Sequence, residues 1–334
     1  MLQLSRNSIW TASAWRLGLA LSSALFLALG GVADSANAAV IAHWSFDEIN
    51  GSNQFEDDSG NAYHATIADQ NTSVTPTAAL TLDTADKVFG AGAGNFNRGG
   101  ALDPLQGTAN PQNDGIARDG GPGAYAAAPH VEGIYTGSHT VATWMKVFEE
   151  SAWTGILGDW TDGRPAGDWG TGRSYLYGLT GDSAGANKEK PMIALSGAGG
   201  NSNINFSATS TPEFTKDVWH HVAWVVDRFS AEQSNIAIYV DGNPTPFKSG
   251  VFPGTASNAD IRDNTQNPTW IGLKEDNGMD YHGKLDELWI FEKALSIGEI
   301  QSLMNNNVIP EPATVTLLGV VMLIVGALRP RCRA

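Results

Sequence analysis

Apolar and polar positions alternate with period 2 in several runs between residues 39 and 306, the pattern of strands with one face turned inward. The first is AVIAHWSFDE, Ala39 to Glu48, and the next clear one is SHTVATWMKVF, Ser138 to Phe148. WHHVAWVVD (Trp219 to Asp227) and NIAIYVDG (Asn235 to Gly242) are the cleanest, the second closing on the turn pair Asp241-Gly242. MIALSG, NINFSA and PTWIGLKE add short strands. In GKLDELWIF, Leu285, Glu287, Trp289 and Phe291 alternate with Asp286, Leu288, Ile290 and Glu292, so both faces carry apolar residues and a strand covered on both sides is expected. Ser296 and Glu299 then stand as a capping box before Ile300, Leu303 and Met304 at helical spacing. Many strands with a helix only at the end predict an all-β fold, an antiparallel two-sheet sandwich or barrel. No repeat of 20–50 residues stands out, which argues against propellers and solenoids.

Between these runs the chain is Gly-punctuated. EDDSGNAYHAT makes a carboxylate-rich turn through Asp57, Asp58, Gly60 and Asn61, and VFGAGAGNFNRGG reads as a short bulged strand. Residues 99–133, rich in Gly, Pro, Ala and Asn, read as a long surface loop or insertion.

Both ends read as addresses. Arg6 and Arg16 precede an apolar run from Leu17 to Ala33 and the motif Ala36-Asn37-Ala38 before Ala39, so 1–38 is expected to be a signal peptide cut between Ala38 and Ala39. At the other end, Pro310-Glu311-Pro312 precedes an apolar run, 313–328, and then Arg329, Arg331 and Arg333. Those residues reach about 24 Å as a helix, a short transmembrane span with a basic cytoplasmic end. The expected organisation is 1–38 signal peptide, 39–307 sandwich, and 308–334 tail.

Charge narrows the partners. The formal charge is −15, and residues 39–310 carry 33 Asp and Glu against 15 Lys and Arg, a net −18. Such a surface repels phosphate backbones and excludes nucleic-acid binding in favour of calcium or neutral polymers. The one cysteine, Cys332, lies in the tail, so the body has no internal disulfide.

Two resemblances add to this. HWSFDE, the turn at Asp58-Ser59-Gly60, VFGAGAGNF, VATWMK, WHHVAWVVD with IYVDG, and GKLDELWIFEKALSIGEI stand in the order of LamG-like jelly-roll domains of the concanavalin A-like lectin/glucanase superfamily, across about residues 40–306. The resemblance implies an antiparallel two-sheet jelly-roll sandwich. It also implies a structural calcium ion (Ca²⁺) where the first strand's loop meets the last strand, with Asp47, Asp58, Gly60 and Asp286 as ligands. The tail, Pro310-Glu311-Pro312 with its apolar run and basic end, resembles the PEP-CTERM sorting signal. That resemblance implies processing by an envelope sortase after transient anchoring in the inner membrane, and delivery to the cell envelope or exopolysaccharide matrix.

Three constellations bear on chemistry. Trp153, Trp160, Trp169, Tyr175 and Tyr177 lie among Gly, Asp and Arg, a composition suited to stacking on sugar faces and taking hydroxyls, although some of these rings must pack the core. Glu149-Glu150 and Glu275-Asp276 are adjacent, and neighbours on a strand point to opposite faces, so no carboxylate pair of the glycosidase kind is evident. Of Asp286 and Glu287, one member is expected to face solvent and the other to pair with a neighbour or hold a metal. His220 and His221 likewise face opposite ways. The reading is an exported, non-catalytic domain that binds polysaccharide or a cell-surface glycan; the alternatives are a structural or adhesive matrix protein, and an unrecognised glycoside hydrolase or lyase.

Overall fold

The structure, a computed structural model, describes residues 39–69, 79–97, 124–148, 154–160, 173–181, 189–197, 203–207, 215–230, 233–253, 260–264, 267–275 and 278–309, all within one compact unit. The expected signal peptide through Ala38, the Pro310-Glu311-Pro312 tail and the 313–328 run lie outside these residues. Among the described residues no helix is long and apolar enough to cross a membrane.

Two antiparallel eight-stranded sheets face each other. The first contains β1 (Val40–Trp44), β4 (Ala79–Asp83), β5 (Ala93–Asn97), β7 (His139–Val147), β12 (Trp219–Arg228), β13 (Gln233–Val240), β14 (Lys248–Pro253) and β18 (Gly283–Phe291). The second contains β2 (Gln54–Phe55), β3 (Ala65–Asp69), β6 (Ala124–Ala128), β8 (Thr154–Trp160), β9 (Arg173–Leu179), β10 (Pro191–Ser196), β11 (Asn203–Ser207) and β15 (Thr269–Ile271), while β16 (Leu273–Glu275) and β17 (Gly278–Asp280) pair as a separate ribbon. The orders are β14-β13-β12-β7-β18-β5-β4, with β1 also on β18, and β11-β10-β9-β8-β15-β6-β3-β2. Sequence neighbours are repeatedly separated in space, the jelly-roll pattern that the family resemblance implied, where the alternation by itself left sandwich and barrel open.

Inward residues of both sheets, among them Trp44, Phe96, Met145, Tyr177 and Trp224, form the main core. A second apolar layer lies outside the first sheet, where Ala142, Ala223, Val225 and Phe291 are covered by Leu295 and by Ile300 and Leu303 of helix α1 (Ile297–Asn306). Ser296 caps that helix in the expected box. Its hydroxyl accepts from Glu299 N, and the Glu299 carboxylate accepts from Ser296 N at 2.8 Å.

Three sequence readings need correction. The 99–133 stretch is not all loop: Ala124–Ala128 is a strand inside the second sheet, between β15 and β3, and Val131 reaches the core. Its sequence, Ala-Tyr-Ala-Ala-Ala, gives almost no polarity contrast between faces, so period 2 was invisible. The described parts of the Trp- and Tyr-rich stretch are β8 and β9, neighbouring interior strands of the second sheet, and residues 161–172 between them lie outside the described residues. In β18 the alternation breaks. The pairing with β7 shifts register between Asp286 and Trp289, and Glu287 has a left-handed φ of 52°. This bulge inverts parity, so Leu285 before it and Leu288 and Ile290 after it all enter the main core. Both acids of the pair are consequently buried, Asp286 completely and Glu287 nearly so.

One buried polar network sits within the second sheet. Asp159 accepts from Asn267 Nδ2 at 2.9 Å and from the Tyr135 hydroxyl at 3.1 Å, and Tyr135 Oη lies 3.3 Å from His130 Nδ1. Burial pushes the Asp159 carboxyl up to about 7 against the lowering effect of these bonds.

Candidate functional site: an acidic cavity at a notch in the first sheet

The edge of β18 away from β7 is shared. β5 pairs with Gly283 to Leu285 and β1 with Leu288 to Phe291, which leaves Asp286 and Glu287 facing a gap between the two strands. A cavity of about 520 Å³ opens there, walled by the chain leaving β1, the Gly90-Ala91 approach to β5, and the bulge. Asp47, Glu48, Glu56, Asp58 and Glu287 line it, with His43 and Phe89.

The local sequence builds each wall. After β1, Phe46 takes a left-handed φ of 59°, and the turn is held because its ring is buried edge-on against Phe55 and Phe96. The turn aims Asp47 at the next wall, where Oδ1 accepts from Ala91 N and from Gly92 N at 3.0 Å. Gly90 must be glycine: its φ is +57°, and a Cβ would overlap the Asp47 carboxylate. From the other side Asp286 Oδ2 accepts from Val88 N at 2.7 Å and Phe89 N at 3.0 Å. Two carboxylates thus pin the 88–92 segment. Burial raises the Asp286 carboxyl to about 7, against the bonds from Phe89 and Val88 and with the charges of Glu287 and Asp47 adding to the rise.

His43 organises the third wall. Its Nε2 lies 2.6 Å from Glu287 Oε2 and its Nδ1 3.9 Å from Asp58 Oδ2. The ring stacks on Trp289 with centroids 3.4 Å apart, and Trp289 Nε1 donates to Asn307 Oδ1 at the end of α1. The carboxylate-rich turn is anchored by Asp57 rather than Asp58. Asp57 accepts from His43 N, Ser59 N, Ser59 Oγ and Tyr63 N. Burial alone would raise its pKa, but these bonds hold it below the usual carboxylate range. The serine two residues after Asp57 was the available signal for this anchor.

The sequence-predicted sites separate on this frame. Asp47 and Asp58 line the cavity, Asp286 lies behind the 88–92 segment, and Gly60 is an exposed turn residue with φ +86° that does not line it. The four are not gathered as one ligand set, and among the described residues no three His, Cys, Asp or Glu side chains group as metal ligands. Of the predicted glycan-contact residues, Trp153 and Trp169 lie outside the described residues. Tyr175 and Tyr177 are fully buried, Tyr175 bonding Thr269 Oγ1 at 2.9 Å and Tyr177 bonding His139 Nε2. Both are core residues, inaccessible to a sugar. Trp160 is buried with Leu176, Met192 and Ala194, with the Arg173 guanidinium 5.4 Å from its ring. Ala39 is exposed, and its carbonyl accepts from Glu292 N.

A family model described as the concanavalin A-like lectin/glucanases superfamily (Laminin_G_3) matches residues 119–301. The chain belongs to this superfamily. As a superfamily member it is similar in structure to domain 4 of AbnA, a GH43 extracellular arabinanase from Geobacillus stearothermophilus, in complex with arabinotriose. The identity is 18% over 81% of this chain and 100% of that one, with a TM-score of 0.49. It is also similar to the binding domain of Paraclostridial Mosquitocidal Protein 1, at 12% identity over 81% of this chain and 52% of that one, TM-score 0.49. A Trypanosoma rangeli sialidase in complex with sialic acid gives 16%, 82%, 34% and 0.47 for the same quantities. Likenesses at these levels say nothing about what this superfamily member binds or does. No curated protein sequence matches the chain.

Proposed function

We propose that this protein is an exported, non-catalytic domain that binds a polysaccharide or cell-surface glycan at the acidic cavity. The observation that carries the reading is the cavity itself, an opening of about 520 Å³ lined by five carboxylates and three rings in a lectin/glucanase superfamily member. Carboxylates accept hydrogen bonds from sugar hydroxyls in pairs, and ring faces take their C–H surfaces. Two of the wall carboxylates are already engaged in structure: Glu287 is bonded to His43, and Asp47 to the 88–92 backbone. Binding rather than bond cleavage is the chemistry that such fixed acceptors suit. The test is polysaccharide pull-down with the full chain and with Asp58→Ala. Binding to neutral glycans that Asp58→Ala weakens supports the reading; a flat response across neutral and acidic glycans favours a matrix protein with protein partners. Hydrolysis of a bound polysaccharide, abolished by Glu287→Gln, would overturn the non-catalytic part.

Calcium belongs to this reading as an occupant of the cavity. Asp47 and Asp58, with Glu48 and Glu56 beside them, supply the hard oxygen donors it prefers, whereas Asp286 and Gly60 stand apart from the lining. The terminal segments give the destination: a signal peptide ending at Ala38 and a PEP-CTERM tail processed by an envelope sortase at Pro310-Glu311-Pro312, after anchoring through 313–328. Replacing Glu311 by Ala is expected to leave the full chain in the inner-membrane fraction. Unchanged release to the matrix would remove the sorting proposal.

A further inference from the structure

On the outer face of the first sheet three side chains stand in one row across adjacent strands. His221 of β12 is the register partner of Trp144 of β7, and Trp144 is the register partner of Asp286 of β18. Each carries a buried polar atom with no hydrogen-bond partner among the described residues: His221 Nδ1, Trp144 Nε1 and Asp286 Oδ1. His221 is 2% exposed and Asp286 0%. The rings of Trp144 and His221 meet edge to face at 5.4 Å, and the Phe89 ring lies 6.5 Å from Trp144 on the segment that Asp286 Oδ2 holds down.

Packing alone does not account for such a row. A buried donor or acceptor left unpaired loses its full hydration energy, and native proteins pair these groups with solvent where protein offers nothing. The three atoms form a complementary set. The indole N–H only donates, a carboxyl oxygen accepts and, when protonated, also donates, and a neutral imidazole nitrogen does either. Burial holds His221 neutral, with its pKa lowered to about 4. Directly opposed side chains on neighbouring strands stand about 5 Å apart at Cβ, a separation that one oxygen, accepting on one side and donating on the other, bridges. A shared metal ion does not fit, because the indole nitrogen offers no lone pair and His221 and Asp286 are two strands, about 10 Å, apart.

We propose that this row is an internal hydration site: ordered water held beneath Phe89, joining β12, β7 and β18 to the segment that walls the cavity. Water is the ligand because it alone combines donor and acceptor at this size. The site does not rest on the glycan reading, although Phe89 belongs to the cavity lining as well.

The experiment uses the full chain labelled with ¹⁵N-tryptophan. Magnetisation transfer from water to the Trp144 indole proton is measured, the resonance being assigned by its contacts with the Phe89 and His221 rings. A long-lived water contact is expected. Trp144→Phe then removes a satisfied bond and lowers the urea midpoint. Trp144→Phe with His221→Phe together lower it by less than the sum, since both lose the same water. An indole proton without water contact, or a midpoint that rises in Trp144→Phe as it would for a truly unpaired buried donor, overturns the proposal. EDTA is expected to leave the water contact unchanged; a contact that vanishes with chelation would show an ion at Asp286 Oδ1 instead and overturn it.

Discussion

At the residue scale, the largest consequences come from a few side chains whose surroundings reverse their usual behaviour. Gly90 is one: a methyl group there meets Asp47 and also strains a left-handed backbone. Gly90→Ala is therefore expected to destabilise the fold by about 1–3 kcal/mol, read as a lower urea midpoint, because it frees the Asp47 clamp on Ala91 and Gly92. Asp159 is another. Its folded pKa is raised above the unfolded value, so its contribution to stability is fully present below about pH 4 and is lost as pH rises through about 7. Asp159→Asn keeps an acceptor for Asn267 and places a donor toward Tyr135, whose own proton can turn to His130. The variant is expected to flatten the stability curve between pH 4 and 7 and to melt higher than the parent at pH 8; an unchanged curve would show that Asp159 is not the group responsible. Asp86 runs the opposite way. Burial would raise it, but Lys284, Lys146 and Trp219 bond it and hold it well below the ordinary carboxylate range. Its contribution is present above about pH 4 and is lost as pH falls further. The identities of these residues were plain in the sequence, but their environments come from segments far apart in the chain, so no local pattern could announce them.

At the element scale, β18 and α1 show two kinds of legibility. The capping box of α1 is a local arrangement over four residues, and it formed as read. Ser296→Ala is expected to cost about 1 kcal/mol, and Leu303→Ala, which empties the layer over Ala142 and Val225, about 2–5 kcal/mol. Equal losses for the two would mean that the helix is held by its cap rather than its packing. The strand β18 was located correctly but its faces were misassigned beyond Leu285. A bulge adds one residue without altering composition, and period-2 reasoning carries the error forward to every later position. The same bulge creates the site. It buries Glu287 against His43 and Asp286 beneath the 88–92 segment at the place where β18 has neither β1 nor β5 beside it. The turn at Asp241-Gly242 formed with both residues left-handed, φ 51° and 62°, yet the returning strand resumes only at Lys248. Local turn chemistry specifies the reversal and leaves the loop length open.

At the scale of the whole molecule, the excess of negative charge and the acidic cavity act together. Binding of a neutral polysaccharide is expected to be insensitive to salt, whereas any binding of an acidic one should strengthen as salt screens the repulsion. If calcium occupies the cavity, EDTA will lower the Tm of the full chain by several degrees, because a ligand that binds only the folded state stabilises it; an unchanged melting curve removes calcium from the proposal. The alternation of apolar residues, the turn residues and the capping box determined that the chain is an all-β fold of antiparallel strands, sandwich or barrel, ending in a short helix, since those properties depend on neighbours within a few positions; the choice of sandwich came with the family resemblance. Which aromatic rings are core, which carboxylate anchors which turn, and where an opening forms were decided only when β1, β5 and β18 met. Each of those outcomes depends on register and on a bulge between segments up to 244 positions apart, as in the bond from His43 to Glu287, and a linear pattern carries no record of such a meeting.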